Sequence, residues 1–159
     1  MEAPLGHTPV LVREVLHHLR VDRDQVVVDL TIGLAGHASL FTEFLGADGL
    51  LIGLDVDPNN LVLAQKKLEN APCRVRLYQA NFTELGDVLQ SAGVTSVDVL
   101  FADLGISSTQ VDNGARGFSF LQDGPLDMRM DPRLTATAAD LVNRLSDREL
   151  GDLLFFNAQ

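Results

Sequence analysis

Apolar and polar positions follow two different periods along the first two-thirds of the chain. Short apolar runs bounded by polar or small residues predict four strands, at Val26–Leu30, Leu50–Leu54, Val75–Gln79 and Val97–Ala102. Helical patterns precede and separate these runs, at Pro9–Leu19, Gly36–Leu45, Pro58–Leu68 and Phe82–Ala92. Largely apolar strands that alternate with amphipathic helices are typical of a parallel sheet covered on both faces. The pattern therefore predicts an α/β fold.

The pattern changes after Ala102. Turn residues occur throughout 103–132 without a sustained period, which predicts a long structured loop of the kind that is usually functional. Helical patterns resume at Ala136–Leu145 and at Asp147–Phe156, where Ser146 is the predicted cap. An open doubly wound sheet usually has about five or six strands, and fewer can be placed here. We interpret the sequence as a truncated protein.

Composition places the chain among globular proteins. It has 159 residues, of which 46% are hydrophobic, and its longest apolar runs fall far short of the ~20 residues of a membrane span. The N-terminal residues do not resemble a signal peptide. Cys73 is the single cysteine, which excludes an internal disulfide and favours a reducing compartment. We expect a cytoplasmic protein without a membrane partner.

The stretch VVVDLTIGLAGH, residues 26–37, runs from a strand into a loop of small residues. Its glycine spacing does not match the dinucleotide fingerprint G-x-G-x-x-G. Asp29 at the strand end is instead followed by small residues at every second position, namely Thr31, Gly33 and Ala35. This register is common in sites for S-adenosylmethionine, which has no phosphate, and it favours that cofactor over NAD. The alternative is a tight strand-to-helix turn without a ligand.

Acidic residues also follow the second and fourth predicted strands. Asp55 lies roughly 20 residues past the loop, the separation expected of an acid that binds a ribose diol through two carboxylate oxygens. The alternative role, capping the helix that starts at Pro58, we assign to Asp57. Asp103 follows the fourth strand and so lies at the carboxyl edge, where open α/β sheets bind ligands. These positions converge on one predicted site.

Two further side chains are candidates for this site. Phe82 follows the third strand, where its ring either lies against an adenine or belongs to the core. The sequence places no nucleophile or partner carboxylate beside His37, so a backbone contact or a cofactor-lining role fits it better than that of a base. No metal-binding spacing such as H-E-x-x-H or C-x-x-C occurs, and metal dependence is not indicated.

The charge of the chain counts against nucleic acid as a partner. The formal net charge is −10, whereas phosphate contacts need clustered lysine and arginine. The only lysines are Lys66 and Lys67. Arginines gather in the last third of the chain, at Arg116, Arg129, Arg133, Arg144 and Arg148.

The stretch GISSTQVDNGARGFSFLQDGPLDMRMD resembles the MraW (RsmH) methyltransferase family, and the similarity extends from HTPVLVREVL at His7 through DLTIGLAGH and GLDVDP to the last residues. The resemblance implies an S-adenosylmethionine-dependent enzyme that methylates the N4 amine of a cytidine in 16S rRNA, in the decoding region of the small ribosomal subunit. The cofactor contacts that it implies fall on Ala35, Gly36, His37, Asp55, Phe82, Asp103 and Gln110. The family usually has Gly-Gly-His where this chain has Ala35-Gly36-His37.

The resemblance also implies how the chain is organised. Residues 1–110 are expected to form the N-terminal half of a Rossmann-like class I methyltransferase domain, truncated to its first four strands. Residues 111–159 are expected to form a structured loop and the start of an inserted helical region that recognises the substrate. The target base has to leave folded RNA and stack on an aromatic surface. Phe118 and Phe120, near Arg116 and Arg129, are candidates, unless these rings pack inside the loop.

Several alternatives stay open at the level of sequence. Asp103 either orients the amine or holds the cofactor. Family members continue well beyond residue 159, and we expect the basic RNA-binding surface to lie in that part. The chain as a whole is an enzyme of this family, a non-catalytic methyltransferase-like module that binds RNA or a partner, or an NAD-dependent Rossmann enzyme.

Overall fold

The computed structural model describes residues 9–157, apart from the side chains of residues 108 and 109. Within this range one sheet contains four parallel strands in the order β3-β2-β1-β4. The strands are β1 (Val26–Asp29), β2 (Leu50–Asp55), β3 (Arg74–Gln79) and β4 (Val99–Phe101). The predicted parallel α/β sheet is therefore confirmed.

One helix precedes the first strand, and three helices follow β1, β2 and β3. They are α1 (Val12–Leu19), α2 (Gly36–Thr42), α3 (Pro58–Lys67) and α4 (Leu85–Ala92). The strand residues alternate between two apolar clusters, because successive side chains of a strand point to opposite faces. Val27 and Leu51 belong to the cluster that includes residues of α2 and α3, whereas Val28 and Ile52 belong to the cluster that includes residues of α4. Both faces of the sheet are covered, as predicted.

Several of the predicted elements have different bounds, and three of the differences have a local cause. The first helix starts at Val12 and not at Pro9, because Leu11 has a left-handed φ of 52° that a helix cannot include. Phe82–Glu84 forms a 3-10 turn before α4, closed by a capping box between Asn81 and Glu84. The last strand is shorter than predicted, since Asp98 accepts the N–H of Val26 through its side chain at 2.8 Å. In addition, α2 ends at Thr42 and not at Leu45, and the helix predicted at Ala136–Leu145 starts at Ala138.

The chain divides into two compact units after Gly105. The second unit contains two short helical turns inside the predicted loop, α5 (Ser108–Val111) and a 3-10 turn at Gly114–Arg116. It continues with α6 (Ala138–Arg144) and α7 (Asp147–Asn157). Ser146 caps α7, as predicted, through a reciprocal pair of bonds with Glu149. Among the helices in the described range, none is long and apolar enough to cross a membrane.

Candidate functional site at the carboxyl edge of the sheet

The loop after β1 is bonded to both neighbouring strands. The N–H of Leu30 donates to the carbonyl of Phe101 at 2.9 Å, which ties the loop to β4. The N–H of Ile32 donates to the carbonyl of Leu54 at 2.9 Å, which ties it to β2. Because the bonds go to opposite sides, the loop has a fixed position relative to both strand ends.

Asp55, the last residue of β2, holds the same loop with its side chain. Its Oδ2 atom accepts the N–H of Gly33 at 3.0 Å and the side-chain amide of Asn60 at 3.1 Å. Its Oδ1 atom accepts the N–H of Asp57 at 2.8 Å. Burial raises the pKa of Asp55, and these three donors oppose the rise because they favour the charged form. Since a carboxylate oxygen has two lone pairs, the remaining acceptor capacity lies on Oδ1.

Asp57 caps α3, as predicted. Its Oδ1 atom accepts the N–H of Asn59 at 3.0 Å, and Pro58 occupies the first turn, where its missing N–H costs nothing. The two acids of GLDVDP thus have separate structural tasks. Asp57 starts the helix, and Asp55 faces the loop after β1.

Asp29, the last residue of β1, is 1% exposed. Burial is the main cause that raises its pKa to about 7, and the negative charges of Asp103 and Asp55 act in the same direction. Hydrogen bonds from the backbone and side chain of Thr31 oppose this rise in pKa. Carboxyl groups that follow three adjacent strands therefore lie close enough to interact.

His37 is buried between the loop and the apolar core. Its ring centroid lies 4.8 Å from that of Phe101 and 6.4 Å from that of Phe41. Nε2 lies 2.8 Å from the carbonyl of Val10, which requires the proton on Nε2, because a carbonyl can only accept. Nδ1 lies 3.9 Å from Asp103 Oδ2, too far for a hydrogen bond. The predicted backbone contact of His37 is therefore present.

Ala35 and Gly36 are small for two different reasons. Ala35 has a left-handed φ of 56°, the conformation that glycine adopts most readily, and its fully buried methyl belongs to the apolar cluster under the loop. A Cβ atom on Gly36 would lie 3.2 Å from Cγ of Pro9. The methyl group of Ala35 is therefore accommodated in the apolar core.

Comparison with known proteins agrees with this architecture. The model of the MraW methylase family matches residues 4–158, nearly the whole chain. The chain belongs to the MraW methylase family. The resemblance based on the sequence motifs is therefore confirmed.

Two curated relatives show how much of an MraW-family protein is present. The ribosomal RNA small subunit methyltransferase H of Geobacter sulfurreducens is 47% identical over 149 residues, which cover 94% of this chain and 48% of the relative. The protein of the same name from Acidobacterium capsulatum is 42% identical over 156 residues, covering 94% of this chain and 52% of the relative. The chain thus spans about half the length of the curated relatives it matches.

A solved structure supports the fold of this MraW-family chain. A protein from Clostridium thermocellum, named as a candidate rRNA methylase, superposes with a TM-score of 0.51 and 20% identity. The superposition covers 65% of this chain and 58% of the other. At this identity the likeness concerns the fold alone, and it confirms the predicted Rossmann-like methyltransferase architecture.

The remaining predicted site residues lie in two places. Phe82 opens the 3-10 turn after β3 and is 47% exposed, so its ring is not enclosed in the core. Gln110 lies on α5 of the second unit, where it is buried and its Oε1 atom accepts the N–H of Ser107 at 3.0 Å. The first unit therefore brings Asp55, Asp103 and the loop 35–37 together, whereas Gln110 belongs to the second unit.

The aromatic candidates in the second unit differ from each other. Phe118 is half-buried, and Phe120 is fully exposed. Arg129 is bound to Asp127 at 2.7 Å, which lowers the pKa of that carboxyl to about 2. Arg116 donates to the carbonyl of Arg129 at 3.0 Å. These two arginines therefore stabilise the loop, and Phe120 is the candidate available for an external contact.

Sequence reasoning missed two roles in this MraW-family site. The sequence indicates Thr31 only as a small residue in the register, yet its hydroxyl accepts the N–H of Asp103 at 2.7 Å. Asn60, on the first turns of α3, is buried and orients Asp55. The register from Asp29 pointed to the position of Thr31, whereas no motif pointed to Asn60.

Proposed function

We propose that this chain forms the cofactor-binding half of an S-adenosylmethionine-dependent methyltransferase that methylates the N4 amine of a cytidine in 16S rRNA. The observation that carries the proposal is the match to the MraW methylase family over residues 4–158. The names of the curated relatives support ribosomal RNA of the small subunit as the substrate. The choice of 16S rRNA, of its decoding region and of the N4 atom comes from the family resemblance.

The charges at the sheet edge fit this cofactor. Asp29 is buried and its pKa is raised to about 7, so Asp55 and the half-exposed Asp103 supply most of the negative charge there. Such an edge attracts the positive sulfonium of S-adenosylmethionine and repels the pyrophosphate of a dinucleotide. These acidic side chains therefore favour S-adenosylmethionine over NAD.

Each part of the cofactor has a candidate partner. Oδ1 of Asp55 retains acceptor capacity for a ribose hydroxyl. Phe82 offers a half-exposed ring face to the adenine. The loop 35–37 and Asp103 are assigned to the methionine part, and the family resemblance adds Gln110.

Positioning accounts for most of the proposed catalysis. The bound cofactor supplies an electrophilic methyl group, and transfer needs the amine lone pair, the methyl carbon and the sulfur in line. Asp103 is 43% exposed at the sheet edge, so its carboxylate is accessible to an N–H of the amine or to the cofactor. We keep both roles, because each uses the same acceptor atoms.

The RNA has to present its base to this edge. A cytosine inside a folded helix cannot reach the cofactor, so it has to be splayed out and stacked. We assign Phe120, an exposed aromatic residue of the second unit, to stacking with RNA. We place the reaction in the cytoplasm, in keeping with a chain whose single cysteine, Cys73, is a free thiol.

Calorimetric titration of the complete gene product with S-adenosylhomocysteine and, separately, with NADH tests the cofactor assignment. Binding of S-adenosylhomocysteine without binding of NADH is the expected result. Binding of NADH alone would contradict the proposal. Binding of neither would instead support a non-catalytic module.

A further inference from the structure

Thr31 joins the ends of β1 and β4 through one hydroxyl group. Its Oγ1 atom accepts the backbone N–H of Asp103 at 2.7 Å. Its backbone N–H donates to Oδ1 of Asp29 at 3.0 Å. Thr31 thus connects the buried Asp29 with the half-exposed Asp103, which follows the neighbouring strand β4.

The bond from Thr31 lies where the sheet no longer fixes β4. The ladder between β1 and β4 ends at the pair Asp29 and Phe101, and the last backbone bond joins Leu30 to Phe101. Residues 102–106 are exposed. The carboxylate of Asp103 is not held by His37, whose Nδ1 lies 3.9 Å away. The Thr31 hydroxyl therefore continues the attachment of β4 beyond the ladder.

We propose that Thr31 is a positioning residue, whose hydroxyl fixes Asp103 next to Asp29 in the geometry that methyl transfer requires. The catalytic part of this inference rests on the proposed function. The structural part does not, because the hydrogen bond to Asp103 is a property of the fold.

Two substitutions of Thr31 distinguish the effect of its hydroxyl group from the effect of its side-chain shape. Thr31→Val keeps the branched side chain and removes the hydroxyl, whereas Thr31→Ser keeps the hydroxyl. Thr42→Val is a matched control, because Thr42 is buried on α2 and its hydroxyl donates to the carbonyl of Ser39 at 2.7 Å. All three variants are to be made in the complete gene product and compared at equal folded fraction.

Two measurements are then made on each variant. Amide hydrogen exchange at Asp103 reports the hydrogen bond without reference to activity, with the N–H of Ile32 as internal reference, because it is bonded to Leu54. We expect Thr31→Val to accelerate exchange at Asp103 about tenfold and to leave Ile32 unchanged. We expect kcat for methyl transfer to fall by roughly tenfold to a hundredfold, the scale of a misplaced reacting group. Thr31→Ser should restore both values, and Thr42→Val should change neither.

The possible failures are distinguishable. Unchanged exchange at Asp103 in Thr31→Val overturns the inference whatever the activity. If exchange at Asp103 is accelerated in Thr31→Val but its kcat equals that of Thr42→Val, the positioning role is overturned. If the unmodified protein transfers no methyl group, the proposed function fails and the exchange rate alone decides whether Thr31 holds Asp103.

Discussion

The carboxylate of Asp55, at the end of β2, accepts the backbone N–H of Gly33, in the loop after β1, at 3.0 Å. The residue proposed to bind the ribose thus also holds the loop proposed to face the methionine part. The bond to the loop uses Oδ2, whereas the free acceptor capacity lies on Oδ1. Binding of the two parts of the cofactor is therefore expected to depend on the same side chain.

Replacing Asp55 by alanine should weaken binding of S-adenosylhomocysteine. A lost hydrogen bond to a charged group costs about 1.5–3 kcal/mol, so the dissociation constant should rise roughly tenfold to a hundredfold. Asp48→Ala is the control, since Asp48 is an exposed acid of the same unit at the other end of β2. Titration calorimetry measures the affinity of both variants for S-adenosylhomocysteine. Equal affinities would contradict a role of Asp55 in cofactor binding.

Replacing Phe82 by alanine should reduce cofactor affinity more than stability. Stacking of a base on an aromatic ring contributes about 1–3 kcal/mol, whereas a half-exposed ring contributes little to the core. Phe44→Ala is a close match, because Phe44 is 46% exposed and Phe82 is 47% exposed. We expect similar unfolding free energies for the two variants and weaker binding of S-adenosylhomocysteine only for Phe82→Ala. Equal affinity of Phe82→Ala and Phe44→Ala for S-adenosylhomocysteine would contradict the proposed contact between Phe82 and the adenine.

Two small substitutions in the loop after β1, at Gly33 and at Ala35, should have different effects on stability. Gly33 has a φ of 51°, and a Cβ atom there would make only an ordinary contact with the carbonyl of Thr31 at 3.8 Å, so Gly33→Ala should destabilise the fold by about 1 kcal/mol through backbone strain alone. Ala35→Gly should change stability by less than about 1 kcal/mol, because relief of strain is offset by the loss of a buried methyl worth about 0.8 kcal/mol. Urea unfolding measures both. A large stabilisation by Ala35→Gly would show that the methyl of Ala35 is not well packed.

Asp29 should make stability decrease as pH rises. Its pKa is about 7 in the fold and 3.8 ordinarily, so the folded chain binds more protons between these values than the unfolded chain does. The stabilising contribution of Asp29 is therefore complete at pH values below its ordinary pKa. It is lost as pH rises through the raised pKa that Asp29 has in the fold. Asp29→Asn removes the titration and keeps an acceptor for Thr31. The stability of Asp29→Asn relative to the unmodified protein should rise between about pH 4 and pH 8, and a constant difference would contradict the raised pKa.

Much of the site was predictable because parallel strands end at one edge. Asp55 and Asp103 follow apolar runs, and that placement alone brings them together. The sequence Asp57-Pro58 likewise identified a helix start. Such local patterns fix where a strand or helix ends and which side chain follows it.

The contacts of Thr31 and His37 depended on distant parts of the chain. Thr31 meets Asp103 across 72 residues, through the register of β1 against β4. His37 meets Val10 across 27 residues. The left-handed φ of Ala35 is equally hidden in the sequence, because the usual signal for it is glycine.

Transfer of a labelled methyl group from S-adenosylmethionine to small-subunit ribosomal RNA by the complete gene product tests the central claim most directly. The account predicts incorporation at the N4 amine of a single cytidine of 16S rRNA, and less incorporation at limiting S-adenosylmethionine when Asp55 is replaced by alanine. Binding of S-adenosylhomocysteine without incorporation into free or subunit-bound 16S rRNA, or incorporation at another atom, would contradict it.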